Sequence, residues 1–186
     1  MRIISGTMRG TKLFTLEGLN TRPTLDRVKE ALFSKINYDL PEAIILDLFS
    51  GSGALALESI SRGAKKAYLC DSSREAIKII KQNIEKTRTN DKTILINSDY
   101  KKALEDFEKD KIKFDIVFLD PPYKTDFAED AVKKIIDFKL LSEDGYIILE
   151  TDNKEKTLEN LNIESIKIKD IKKYGRVYLL FLNQNK

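Results

Sequence analysis

Short apolar runs recur along the chain, each followed by a longer stretch of mixed polarity. Residues 44–48, 66–70, 93–97, 114–119 and 146–150 are largely apolar over five or six positions. They read as strands covered on both faces, because a half-exposed strand would alternate strictly. The intervening segments have helical spacing. Residues 54–62 run up to Gly63, a residue type suited to the position just past a helix. Ser72-Ser73-Arg74-Glu75 has the form of a capping box, opening a helix with Ala76, Ile79, Ile80 and Asn83 on one face. Further helices are expected near residues 100–109 and 127–138. This alternation predicts an α/β fold with a parallel, doubly wound sheet.

Both ends depart from the alternation. Residues 163–171 and 176–182 are strand-like and meet around Tyr174-Gly175, with no room for a crossover helix. They predict an antiparallel hairpin at the sheet edge. Residues 2–5 and 12–16, bridged by Met8-Arg9-Gly10, predict a small hairpin ahead of a helix beginning near Thr24. One domain over residues 1–186 is expected, with a basic extension at 1–36 and a Rossmann-like core at 37–186.

Composition narrows the chemistry. With 41% hydrophobic and 34% charged residues, the 186-residue chain has the profile of a soluble globular domain. No apolar run approaches the roughly 18 residues of a membrane span, and Met1-Arg2-Ile3-Ile4-Ser5-Gly6 lacks a signal-peptide apolar region. A cytoplasmic monomer without membrane attachment is expected. One Cys and no His leave no internal disulfide and no zinc cluster, so no metal is expected, and Cys70 should be a buried, reduced thiol. Without histidine, any catalysis must run on carboxylates, backbone groups or a cofactor. Charge is unevenly spread. Residues 1–35 carry seven Lys/Arg against three Asp/Glu, residues 154–186 eight against four, and the middle 18 against 23. Basic ends around an acidic middle suit a phosphate-facing rim on a cofactor domain.

Two loops carry the candidate chemistry. Asp47-Leu48-Phe49-Ser50-Gly51-Ser52-Gly53 follows the first apolar strand and opens a helix. Glycines let such a backbone turn tightly against a ligand, while the helix N-terminus presents free N–H groups. Asp71 ends the next strand, where a carboxylate can accept both ribose hydroxyls. Gly51, Gly53, Ala56 and Asp71 would equally satisfy a dinucleotide fingerprint. Asp47 opposes that alternative: a carboxylate near a pyrophosphate is repulsive, whereas it suits a cationic sulfonium with a free amino group. Asp99, after the third strand, can accept from an adenine amine or cap the following helix. Three acids at three strand ends favour S-adenosylmethionine, with Asp47, Phe49, Ser50, Gly51, Gly53, Asp71 and Asp99 as candidate contacts.

The second loop is Asp120-Pro121-Pro122-Tyr123, directly after the fourth strand. The prolines fix φ and remove two N–H groups, giving a rigid turn where α/β sheets place active sites. Asp120 and the Pro121 carbonyl can accept from one –NH₂ group and localise its lone pair, while Tyr123 offers a ring for base stacking. These four are the candidate catalytic residues.

With these motifs, the chain resembles the RsmD family of bacterial methyltransferases acting on a guanine N2 of 16S ribosomal RNA. The resemblance spans Arg2-Ile3-Ile4-Ser5-Gly6, Arg9-Gly10, Thr21-Arg22-Pro23-Thr24, Arg27, Glu30-Ala31-Leu32-Phe33, the glycine loop, Asp71, Asp99, Asp120–Tyr123 and Lys173-Tyr174-Gly175. Asp71 stands where the family usually has Glu, and Ser73 where an Asp often follows. The resemblance implies a class I methyltransferase fold and 16S rRNA in an assembling small ribosomal subunit as substrate. Arg9, Arg22 and Arg27 are then candidate phosphate contacts, or, for Arg22 and Arg27, partners of acids such as Glu30. A DNA adenine-N6 methyltransferase would usually carry a separate recognition domain. A nicotinamide oxidoreductase would leave the 120–123 loop unexplained, and a non-catalytic RNA-binding module would need only the basic flanks.

Overall fold

A computed structural model of the chain describes residues 1–16, 23–122, 126–161, 164 and 166–185, with side chains of the first helix from Arg27 onward. Helix α1 (Pro23–Lys35) precedes strand β1 (Ile44–Asp47), helix α2 (Ala54–Ser61), strand β2 (Lys66–Asp71), helix α3 (Arg74–Thr87) and strand β3 (Thr93–Asn97). There follow α4 (Tyr100–Lys109), β4 (Phe114–Leu119), α5 (Phe127–Asp137), β5 (Leu141–Thr151), α6 (Lys154–Asn160), β6 (Ile166–Tyr174) and β7 (Val177–Gln184). The residues divide into two compact units, Met1–Asp99 and Tyr100–Lys186.

In the first unit β1, β2 and β3 lie side by side, all parallel, with Ile44 opposite Lys66 and Ala67 opposite Thr93. Ile45, Leu46, Leu69 and Cys70 are fully buried, as continuous apolar strands require. Buried Leu57 and Ile60 from α2 and Ala76, Ile80 and Ile84 from α3 add to the apolar interior of this unit. Burial of a side chain the size of Leu57 stabilises by about 1.5–3 kcal/mol. In the second unit the order is β4-β5-β7-β6: β4 and β5 are parallel, and the last strands pair antiparallel. Tyr174 pairs with Val177 around a two-residue turn at Gly175-Arg176, with Gly175 at φ 62°. The fold is α/β, mostly parallel, and closed by an antiparallel C-terminal hairpin.

Three local expectations change. The α3 cap is Ser73, whose hydroxyl accepts from Ala76 N, so Glu75 falls one position short of the capping-box site. Ser73 takes that role because its own N–H is held by Asp71 Oδ1 at 2.8 Å, which fixes the chain's entry into the helix. Strand β5 starts at Leu141, ahead of the apolar run at 146–150: Leu141 pairs with Phe114, the ladder breaks at an irregularity, and pairing resumes at Tyr146 opposite Ile116, an extension that apolar periodicity cannot detect. Helix α6 is short and mostly polar, opened by Asn153 capping Lys156 N, and no apolar stripe announces it.

The N-terminal hairpin forms through a single bridge between Arg2 and Lys12, with backbone bonds from Ile3 N to Thr11 O and Gly10 N to Ile3 O. It docks on the end of α2. Thr7 N donates to Ser61 O, Met8 N to Ser61 Oγ, and Ser61 Oγ to Ser5 O. Gly6 sits at φ 82°, and a Cβ there would lie 1.8 Å from Ser61 O, so only glycine permits this approach.

Beneath the hairpin, Glu58 is fully buried. Its carboxylate accepts from Ile4 N at 2.7 Å, Ser5 N at 3.0 Å and Arg62 Nε at 2.8 Å, with Lys29 Nζ at 3.3 Å. Lys29 also donates to Arg2 O. A buried carboxylate is tolerable only with such compensation. Glu58 and Lys29, rather than Arg27, therefore fasten the extension to the unit. Arg27 is exposed and makes no ion pair among the described residues, and Arg22 lies outside them.

Candidate functional site

The glycine loop connects β1 to α2. Gly51 (φ 56°) and Gly53 (φ 77°) take left-handed conformations that side chains resist. A Cβ on Gly53 would come within 2.9 Å of Leu69 Cδ2, whereas one on Gly51 would meet nothing within 4 Å. Gly53 thus lets the loop sit against the core, and Gly51 leaves its outer side open to a ligand.

Carboxylates hold the loop in place. Asp71, at the end of β2, accepts from Gly51 N through Oδ2 at 2.9 Å and from Ser73 N through Oδ1 at 2.8 Å. Each oxygen keeps a lone pair, so a ribose diol fits alongside these bonds. Asp47 is nearly buried at the end of β1, and its Oδ2 accepts from Ala56 N at 3.3 Å. Part of its negative charge is therefore committed to the first turn of α2, where the helix dipole favours it. Ser50 is buried, its hydroxyl donating to Asp47 O, and Phe49 is half-buried beside it. Asp99 is exposed immediately before α4. The open face of Gly51 with two acceptor carboxylates, half-buried at Asp71 and buried at Asp47, fits a nucleoside bearing a cationic group.

Spacing alone places Asn83 on the apolar face of its helix, and the structure gives it a task. It is fully buried, accepts from Phe14 N at 2.8 Å, and donates to Phe14 O and to Ser52 O at 2.9 Å. One amide thus joins the N-terminal segment to the glycine loop. A polar residue within an apolar stripe was the available signal for Asn83, as a lone acid in α2 was for Glu58. Cys70 is buried next to Asp71. Loss of hydration first, and the Asp71 charge second, push its thiol up to about 12, so it stays protonated and unreactive.

In the second unit, Asp120 and Pro121 follow β4, the Asp side chain exposed, Pro121 buried and Pro122 exposed. Tyr123 lies outside the described residues. Asp120 makes no hydrogen bond or ion pair among the described residues. A group can touch water and still lose most of the bulk hydration around it. That desolvation pushes Asp120 up to about 6. At neutral pH it is a carboxylate.

The family model described as Conserved hypothetical protein 95 matches residues 1–183. Ribosomal RNA small subunit methyltransferase D of Haemophilus influenzae is 34% identical over 165 residues, 85% of this chain and 81% of that protein. The chain belongs to this methyltransferase D family. Within the same similarity range, the Bacillus subtilis protein YlbH is 36% identical over 152 residues, 82% of this chain and 83% of its own. The solved structure of the Escherichia coli protein yhhF superposes with a TM-score of 0.81 at 27% identity, covering 99% of this chain and 97% of that one. The family's methyltransferase fold is therefore the fold seen here. Among the described residues no helix is long and apolar enough to cross a membrane.

Two expected results concern these residues. Asp71→Ala should weaken S-adenosylmethionine binding more than about tenfold by calorimetry, because it removes charge-assisted bonds and releases Gly51 N and Ser73 N together. Unchanged affinity in a folded variant would take Asp71 out of the site. The second result concerns pH. If the Asp120 carboxylate is the active form, kcat/KM should rise about tenfold per unit below about 6 and level off above it. Asp120→Asn, which cannot ionise, should lose this limb.

Proposed function

We propose that this protein transfers a methyl group from S-adenosylmethionine to the exocyclic N2 of one guanine in 16S ribosomal RNA of the small subunit. Family membership supports an rRNA methyltransferase. The observation that carries the chemistry is the Asp120-Pro121 turn, which offers a desolvated carboxylate with its pKa near 6 beside a backbone carbonyl.

In this mechanism Asp47, Phe49, Ser50, Gly51, Gly53, Asp71 and Asp99 hold the cofactor, which supplies an electrophilic methyl group when bound. Asp120 and the Pro121 carbonyl accept hydrogen bonds from the guanine amine and concentrate its lone pair on nitrogen. Pro121 and Pro122 keep that turn rigid, so the acceptors need little reorganisation. Tyr123 stacks on the base. No histidine is needed, because the methylated nitrogen is acidic enough to release its proton to water, and Asp120 is already an ionised acceptor at neutral pH. A guanine within structured RNA must be unpaired or flipped out to reach the loop. Exposed Arg9 and Arg27, with Arg22, contact phosphates.

The test is tritiated methyl transfer to small subunits from cells lacking the enzyme, followed by nucleoside analysis. N2-methylguanosine is expected. N6-methyladenosine, or no incorporation, would overturn the proposal.

A further inference from the structure

The N-terminal hairpin and α1 line a cavity of about 220 Å³, formed by Arg2, Ile3, Ile4, Arg9, Gly10 and Glu30. Ordinary small-molecule clefts run to about 300–1,000 Å³, so this one takes a single planar group or an anion rather than a whole cofactor. None of its lining residues belongs to the glycine loop or to the 120–123 turn. Arg2, Arg9 and Glu30 are exposed, and their side chains make no hydrogen bond or ion pair among the described residues.

Two guanidiniums alone would suit a phosphate. Glu30 opposes that, because its carboxylate in the same small cavity repels an anion. A ligand that satisfies all three must offer donors to the carboxylate and acceptors to an arginine. Guanine has both: N1–H and the N2 amine lie side by side on one edge, and O6 and N7 suit an arginine fork on another. Half-buried Ile4 adds apolar surface for the flat ring.

We infer that this cavity is a guanine-reading subsite, in which Glu30 accepts from N1–H and the N2 amine while Arg2 contacts O6 and N7, leaving Arg9 at the rim to the RNA phosphates. It deepens the proposed function and rests on it in one respect: the guanine is taken to be a second, unmethylated one in the same RNA. The hairpin is then a specificity element as well as a source of positive charge.

The test is an NMR titration of the full chain with GMP, IMP and inorganic phosphate, read at the amides of Ile3, Ile4 and Gly10. GMP should shift these amides. IMP lacks the N2 amine and should need at least about tenfold higher concentration, as should GMP with the Glu30→Ala variant. Glu30 is an exposed helical position, so that variant should keep its fold, checked by unchanged amide spectra elsewhere. Phosphate producing the same shifts, equal GMP and IMP responses, or an unaffected Glu30→Ala response would each overturn the inference. Methyl transfer to small subunits is scored separately. Transfer with silent pocket amides overturns the subsite and leaves the proposed function standing. GMP in the pocket without methyl transfer removes the function and leaves a guanine pocket.

Discussion

Asp120→Ala should reduce turnover at least about a hundredfold while S-adenosylmethionine affinity stays near wild type. The magnitude follows from treating Asp120 as a preorganised acceptor, comparable in effect to one donor of an oxyanion hole. Cofactor affinity should survive because the candidate cofactor residues lie in the glycine loop, at the end of β2 and after β3, none of them beside Asp120 in the chain. Asp120→Asn keeps one oxygen acceptor and should fall between the two. Single-turnover methyl transfer with calorimetry of the same preparations separates rate from binding. A fully active Asp120→Ala protein would remove the carboxylate from the mechanism.

Glu58→Ala should lose about 3–5 kcal/mol of stability, the scale for breaking a buried charge cluster by removing one partner. Lys29 and Arg62 would remain in place nearly without solvent, and Ile4 N and Ser5 N would lose their acceptor. For a chain of this size that is a fall in Tm of roughly 6–20 °C. Glu58→Gln retains an acceptor for the backbone and should lose less. Differential scanning calorimetry gives the comparison, with Asp120→Ala as a control expected to melt close to wild type. An unchanged Tm for Glu58→Ala would show that the cluster contributes nothing net.

These two residues differ in how visible they are in the chain. Asp120 is marked by its position after an apolar strand and before two prolines, a local arrangement with a direct chemical meaning. Glu58 has no comparable signature. Its backbone partners lie 53 and 54 residues away, and Lys29 stands on a different helix, so only folding brings the charges together. Asn83 is similar: spacing places it on the inward face of α3, but its link between Phe14 and Ser52 spans 69 and 31 residues. The cap of α3 shows the limit at short range, where Asp71 holding Ser73 N selects one serine over its neighbour.

Local patterns in the chain establish the order of the strands and of the helices other than α6, the glycine loop, the acids at the strand ends and the family, and they mark the Asp-Pro-Pro run after β4. In such patterns hydrophobic period, backbone freedom and residue chemistry act over a few positions. Tertiary structure alone decided which polar groups are buried together, that Asp71 braces Gly51, that Asp120 is desolvated to a pKa near 6, and that Arg2, Arg9 and Glu30 share a cavity. The reason is physical. Burial, dielectric surroundings and ion pairing depend on distances in space, and in this chain those distances are set between segments far apart in sequence.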